Sequence, residues 1–439
     1  MNQAPTPHPI FADDYDPNAL GMEDAAARLL AAMAQPNGVE WVSLRNALGR
    51  VLAEPLQATV AVPAHRSSAM DGYALRTSDF MAPGGALDAA GPALTTGKPL
   101  RLPLVGTSAA GHPFTDMLPA GAAIRIMTGA VVPDAADAVI MQERVQRDGD
   151  HLLIDPAVFP RPGSNTRAAG EDLALGALAL PAGRRIRPAD LGLAASLGLA
   201  EVPVRPRLRV AFFSTGDELC SIGQQPAVGQ VFDSNRYTLF GMLEQLGVEV
   251  HDLGVVRDTP ADLELAFRRG IACADVLVSS GGVSVGDADF VRGMLERLGQ
   301  TVFWKIAVKP GRPFAYGKLE GATHFFGLPG NPVAVMVTFH QLVRPALRRL
   351  MGIDPLPAPL RVQARTTAPL KKVPGRYEFQ RGVLLRGNDG QWQVDPTGEQ
   401  GSGMLSSMSL ANCFICLPES SGSVPTGSMV DVEPFDEGL

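Results

Sequence analysis

The sequence predicts a multidomain α/β plus β chain. It has a central parallel-sheet α/β/α domain, a β-rich inserted domain, a small N-terminal helical and mixed domain, and a C-terminal β-barrel-like domain. Three observations predict this. The chain has 439 residues, and single cores stop growing beyond ~250–300 residues, so two to four domains are expected. Strand-like and helix-like segments alternate between 205 and 350. Before and after that stretch, short apolar runs are broken by Pro and Gly clusters, the texture of β-rich modules.

In chain order, residues 1–18 are acidic and proline-rich and read as a disordered tail. Residues 19–55 together with 164–204 form the N-terminal mixed domain. MEDAAARLLAAMAQ (22–35) reads as a helix. SLRNALGRVLAE (43–54) reads as a second, with Ser43 as its cap. The β-rich domain covers 56–163, with 82–113 partly irregular. The α/β domain covers 205–355. Its strands are RLRVAFFST, VEVHDLGVV and ADVLVSS, extended by TVFWKIAVKPG and HFFGLPG. Its helices are SNRYTLFGMLEQLG, capped by Ser234 or Asn235, then TPADLELAFRRGIACA with Pro260 in its first turn, DFVRGMLERLG and NPVAVMVTFHQLVRPALRRL. Such alternation means a parallel sheet with right-handed crossovers. Residues 356–439 form the C-terminal β domain, with an NDG-turn hairpin in FQRGVLLRGNDGQWQVDP.

Composition narrows the function classes. The net charge of −7, with no Lys/Arg run longer than two, lacks the basic stripe of a nucleic-acid binder. No apolar stretch is long enough to span a membrane. The N-terminus has no basic and apolar leader, so a cytoplasmic location is expected. Of the four cysteines, Cys413 and Cys416 form C-F-I-C. No second CxxC or nearby histidine completes a zinc site, and in a strand the two side chains face opposite ways. They read as structural.

Ligands of open α/β sheets bind beyond the carboxyl ends of the strands. There the sequence places STGDEL with Asp217 and Glu218, RDTP with Asp258, and SSGGVSVGDADF with Asp287 and Asp289. It also places KPGRP after Lys305 and Lys309, and GLPGNP. Amides of Gly281, Gly282 and Gly286 at a helix start can hold an anion. Carboxylates beside them would repel it unless a divalent cation lay between, and Mg²⁺ is the usual choice. Lys305 and Lys309, four apart on one strand and so on one face, supply positive charge. Each piece has a plainer reading: a tight βα turn, a helix cap at Asp258, a solvated strand face. Their convergence favours a site. There is no Walker P-loop and no dinucleotide fingerprint. Outside this domain SSAMDGYALR with Asp71, RAAGED (167–172) and TGEQGSGMLSS (397–407) stand out. By themselves these fit ordinary turn chemistry.

Together the stretches SAMDGYA, RIMTGAVVP, GED, FSTGDEL, DSNR, SSGGVSVGDADF, FWKIAVKPGRPFAYGK, GLPGNPV, PGRYEFQRG and GSGMLSSMSLANCFI carry a resemblance. The chain resembles the MoeA-type molybdopterin molybdenumtransferases, the family that includes the gephyrin E domain, over almost its whole length. The resemblance implies a central molybdopterin-binding-like domain and the last step of molybdenum cofactor synthesis. Molybdenum from molybdate enters adenylated molybdopterin, and AMP is released with Mg²⁺. It also implies a homodimer whose active site lies across subunits. Molybdopterin adenylyltransferase and molybdoenzymes are the implied transient partners. Adenylyl transfer and a non-catalytic gephyrin-like scaffold are the alternatives.

Carried over by residue, the resemblance implies catalytic positions at Asp71, Asp172, Glu218, Asp258, Asp289, Lys305 and Lys309, with Glu218, Asp258 and Asp289 as metal ligands. Arg167, Arg381 and Ser402 join the turn residues Thr215, Gly216, Ser280, Gly281, Gly282, Gly286, Pro329 and Gly330 as substrate-binding candidates. Arg66-Ser67 stands where the family often has Asp-Asn, and either adds charge beside an oxyanion or faces solvent.

Overall fold

Two hydrophobic cores sandwich the sheet that organises the molecule. The computed structural model describes residues 19–80, 98–282 and 290–435; the expected tail lies outside them. The N-terminal part carries α1 (Met22–Ala31), β1 (Glu40–Ser43), β2 (Ser67–Ser68), β3 (Gly72–Leu75), β4 (Leu100–Ser108), β5 (Ala123–Ile126) and β6 (Ala138–Met141). It continues with β7 (Gln146–Asp148), β8 (His151–Ile154), β9 (Thr166–Arg167), α2 (Pro188–Ser196) and β10 (Glu201–Val204). A six-stranded sheet runs β6-β3-β5-β4-β8-β7. A Cβ on Gly72 would stand 2.0 Å from the Ile140 carbonyl oxygen, so the MDG motif needs its glycine for strand packing. β1 pairs antiparallel with β10, joining segments far apart in sequence.

The expected helix over 43–54 is absent. Residues 40–43 are strand, only Leu44–Asn46 make a 3₁₀ turn, and the Ser43 side chain caps nothing. Val51 and Leu52 bridge to Arg185 and Val204 instead. Long-range pairing overrides a local helical pattern here.

The central part holds β11 (Arg209–Thr215), α3 (Ser234–Leu246), β12 (Glu249–Val256), α4 (Pro260–Cys273), β13 (Val276–Ser280), α5 (Phe290–Leu298), β14 (Gly299–Lys305), β15 (Val308–Lys309), β16 (Pro313–Leu319) and β17 (His324–Leu328). The sheet order is β12-β11-β13-β17-β16-β14. β12, β11, β13 and β17 are parallel. β16 runs antiparallel to both of its neighbours, β17 and β14, so it is the reversed strand in an otherwise parallel sheet. Only residues 320–323 separate β16 from β17, too few for a parallel crossover. Val210 and Phe212 enter one core, Ala211 and Phe213 the other. That is the period-two signature of a strand buried on both faces. Burying each phenylalanine contributes about 1.5–3 kcal/mol.

The helix starts follow side-chain chemistry. Asp233, not Ser234 or Asn235, caps α3, accepting from the Arg236 amide at 3.1 Å. Thr259 caps α4, and Pro260 takes its first turn. The closing helical run comprises α6 (Pro332–Thr338), a π-helical stretch (Phe339–Val343) and α7 (Arg344–Leu350).

The C-terminal part contains β18 (Val362–Thr366), β19 (Tyr377–Arg386), β20 (Trp392–Pro396), α8 (Leu405–Leu410), β21 (Cys413–Leu417) and β22 (Met429–Pro434). Pairing runs β19-β20-β18-β22-β21 and closes from β21 back to β19, making a five-strand barrel. β15 joins β19 in parallel, tying the central sheet's loop to the barrel.

Candidate active site

A cavity of about 700 Å³ opens at the carboxyl ends of the parallel strands. Thr215, Gly216 and Glu218 reach it after β11, Asp258 after β12, Gly281 and Gly282 after β13, and Pro329 and Gly330 after β17. Lys309 and Ser402 complete the predicted residues that line it. The cavity lies at the strand ends, where the strand-end rule expects ligands.

The turns are built for close approach. Gly281 has φ +91, and a Cβ there would meet the Thr215 carbonyl oxygen at 2.2 Å. Asn235 fastens two turns together: its Nδ2 donates to Ser280 Oγ at 2.9 Å and to the Gly330 carbonyl at 2.7 Å. Ser280 is therefore buried in this clamp and does not line the cavity.

Charge is divided across the cavity. Glu218 and Asp258 lie at the β11/β12 end. Burial first, then the charges of Asp217 and Glu218, push the Asp258 carboxyl above the usual range. Its Oδ1 is buried without a hydrogen-bond partner. Asp258 is not needed as a helix cap, because Thr259 fills that role. A buried, unsatisfied carboxylate oxygen beside other acids is what a cation site presents. Among the described residues no group of three metal-ligating side chains assembles. Glu218 and Asp258 therefore fit a cation that keeps water or phosphate as further ligands. Asp289, expected as the third ligand, and Gly286, like Asp287, lie outside the described residues.

The opposite end is cationic. Lys309 pairs with Glu378 at 3.4 Å. Arg312 and Arg376 also line the cavity, and sequence reasoning missed both. A signal existed: Pro-Gly-Arg occurs at 310–312 and again at 374–376. Each triplet sets its arginine, after a Pro-Gly pair, in the cavity lining.

Other expectations need correction. Lys305 and Lys309 do not share a strand. β14 ends at Lys305, the chain leaves the sheet at Ile306, which bridges to Leu20, and Lys309 sits on β15. Lys305 is exposed and outside the cavity lining. Arg381 is also not a cavity residue. Fully buried, it donates to the carbonyls of Glu399, Gln400 and Gly401 and to Ser407 Oγ. Burial pulls its guanidinium down to about 10. It holds the loop that presents Ser402.

Asp71, Arg167 and Asp172 stand apart from this cavity, in the N-terminal part. Thr128 donates its amide and its hydroxyl to Asp71 Oδ1, each at 2.7 Å. These bonds hold the Asp71 carboxyl below its ordinary value. Arg167 lies opposite Ser67 in the β2/β9 pair, and the Asp172 amide donates to the Val62 carbonyl at 3.0 Å; both side chains are exposed. Arg66 is half-buried, and its guanidinium donates to the carbonyls of Pro133 and Ala136, which anchors the side chain to the neighbouring loop. Cys413 and Cys416 are buried in two different cores, as opposite strand faces require. Burial pushes both thiols up to about 12.

Comparison with known proteins agrees with this architecture. Residues 20–198 match the family model "MoeA N-terminal region (domain I and II)", 211–349 match "Probable molybdopterin binding domain", and 363–435 match "MoeA C-terminal region (domain IV)". A molybdopterin molybdenumtransferase of Haemophilus influenzae is 43% identical over 96% of this chain and 100% of its own length. One from Nostoc sp. is 33% identical over 97% of this chain and 95% of its own. A crystal structure of the molybdopterin biosynthesis MoeA protein from Pyrococcus horikoshii superimposes with a TM-score of 0.76 at 30% identity, covering 95% of this chain and 100% of that one. With its sheet domain, β-rich domains and closed barrel, the chain belongs to the MoeA family of molybdopterin molybdenumtransferases.

Proposed function

We propose that this chain is a transferase that inserts molybdenum from molybdate into adenylated molybdopterin and releases AMP, the last step of molybdenum cofactor biosynthesis. One observation carries the reading: a single cavity at the strand ends sets Glu218 and Asp258 against Lys309, Arg312 and Arg376. Phosphate and oxyanion substrates are held by such cations and by the amides of Gly281 and Gly282. Ser402 supplies a hydroxyl donor.

Glu218 and Asp258 would hold Mg²⁺, which when bound neutralises charge developing on the pyrophosphate link. The protein's own groups keep the nucleotide phosphates between the turns after β11 and β13. Water attacks the AMP-side phosphorus, its bond to the bridging oxygen breaks, AMP departs with the water's oxygen, and molybdopterin keeps its phosphate with the bridging oxygen. The dithiolene sulfurs then form Mo–S bonds to the molybdate held at the cationic end as Mo–O bonds break, the displaced oxygens leaving as water with the dithiol protons and molybdenum keeping its oxidation state.

A homodimer is part of the proposal. Asp71, Arg167 and Asp172 do not line the cavity of their own chain, and would complete that of a second copy. Val231, Phe232, Tyr237 and Phe240, exposed on and just before α3, supply an apolar face for it. The domain division given above, and transient contact with molybdopterin adenylyltransferase and molybdoenzymes, belong to the same proposal. No helix among the described residues is long and apolar enough to cross a membrane.

The test is incubation of purified protein with adenylated molybdopterin, Mg²⁺ and molybdate. Molybdate-triggered AMP release is expected, and it stops with chelator. Formation of adenylated molybdopterin from ATP and molybdopterin would instead identify an adenylyltransferase. Ligand binding without turnover would identify a scaffold.

A further inference from the structure

We infer that Glu378 is a counter-ion built into the cationic end of the cavity, a positioning residue that holds Lys309 and weakens oxyanion binding there. The inference rests on reading that end as an oxyanion site. In the β15/β19 pair Lys309 lies directly opposite Glu378. The lysine is 44% exposed and the acid 6%. Lys309 therefore spans from the cavity to a buried carboxylate.

A buried carboxylate is costly unless paired. Glu378 has Lys309 at 3.4 Å and Gln380 Nε2 at 3.0 Å. Gln380 also donates to the Lys371 carbonyl at 2.8 Å. Beside it, Lys372 is buried and donates to the carbonyls of Arg376 at 2.8 Å, Ser421 at 3.2 Å and Val373 at 3.3 Å. These bonds fix the turn that brings Arg376 to the cavity. Glu378 thus sits among Lys309, Lys372 and Arg376, with Glu419 a further acid near Lys372, and it is Glu378 that pairs with Lys309.

This has a consequence for ligand affinity. An oxyanion at Lys309 shares the ammonium with a fixed negative charge that cannot leave. Its binding is weakened, and its release is eased. That suits an oxyanion that is handed on. It also keeps abundant inorganic anions from occupying the site. A purely structural ion pair makes the opposite prediction, because loss of its acid would loosen Lys309 and weaken binding.

The experiment is titration of full-length protein with molybdate, and with sulfate, by calorimetry. Glu378→Gln keeps the shape and an acceptor for Gln380 but removes the charge. Its oxyanion affinity is expected to rise about threefold to tenfold. Glu378→Asp keeps the charge and should stay within about twofold of wild type. Gln380→Leu leaves Glu378 leaning on Lys309 alone, and should lower affinity about threefold. It tests the idea even if Glu378→Gln fails to fold. Unchanged or weaker binding in folded Glu378→Gln overturns the inference, as does unchanged binding in Gln380→Leu. So does the absence of oxyanion binding in wild type and Glu378→Gln alike. Molybdate-triggered AMP release is measured in parallel. Its absence in wild type overturns the functional reading, while the sign of the Glu378→Gln change decides the counter-ion role.

Discussion

The guanidinium of Arg381 donates to the carbonyl of Gly401 at 3.0 Å, placing a buried cation directly behind the cavity-lining Ser402. Its other donors go to Glu399, Gln400 and Ser407. Four of its five N–H donors are spent on this loop and the side chain is 1% exposed, outside the cavity lining, so Arg381 acts through the loop. Arg381→Met is expected to cost about 2–4 kcal/mol, because several buried carbonyls lose a charged donor at once. Arg381→Lys restores charge but not the planar fork, and should recover little of that loss. Urea denaturation measures both. A full-stability Arg381→Met variant with lost substrate binding would return Arg381 to direct contact.

Asn235 makes a sharper test of loop positioning. One amide nitrogen joins Ser280 and Gly330, the ends of two neighbouring strands. Asn235→Ala leaves a buried hydroxyl and a carbonyl without their donor, costing about 1–3 kcal/mol. Amide exchange should speed up at 280–282 and 329–331, and not in the C-terminal barrel. Uniform acceleration across the chain would mean that the clamp is not local.

Asp258 carries a pH signature. Its carboxyl is raised above 3.8 by burial and by Asp217 and Glu218. For a raised acid the native state holds its proton longer than the unfolded chain. Stability is therefore lost as pH rises from the ordinary carboxylate value through the raised one. In chelator, Asp258→Asn should melt higher than wild type above that window and equal to it below. Mg²⁺ should stabilise wild type by binding only the folded state, and stabilise the variant much less. Thermal melts with and without Mg²⁺ decide this, and an equal Mg²⁺ response in both proteins would remove Asp258 from the cation site.

The elements that read well from sequence are those specified locally. RVAFFST is apolar on both faces, TPADLELAF carries its own cap and proline, and the turns after the strands are marked by glycine. The failures share one cause, which is partners distant in sequence. Residues 43–54 have a helical pattern, but Val51 and Leu52 bridge to Arg185 and Val204. Lys305 and Lys309 look like neighbours on one strand face, until Leu20 and the barrel strand draw the chain out of the sheet between them. Arg381 was readable as important, but not as buried, since its partners are backbone carbonyls 18–20 residues on. Arg312 and Arg376 were readable, through a triplet that occurs twice.

The C-F-I-C strand gives a test of inert against reactive sulfur. Cys413 and Cys416 face two different cores, and burial pushes both thiols up to about 12. At neutral pH the thiolate fraction of such a group is on the order of one in 10⁵, and alkylating reagents cannot reach it without unfolding. Cys273, half-buried at the end of α4, is the accessible one. Maleimide labelling of native protein, followed by mass spectrometry, should modify Cys273 first. Labelling of Cys413 and Cys416 should track global unfolding in denaturant, because strands β19 and β22 flank theirs on both sides. Rapid modification of both in the native protein, or zinc bound in proportion to them, would require a metal or redox role that two separate cores do not permit.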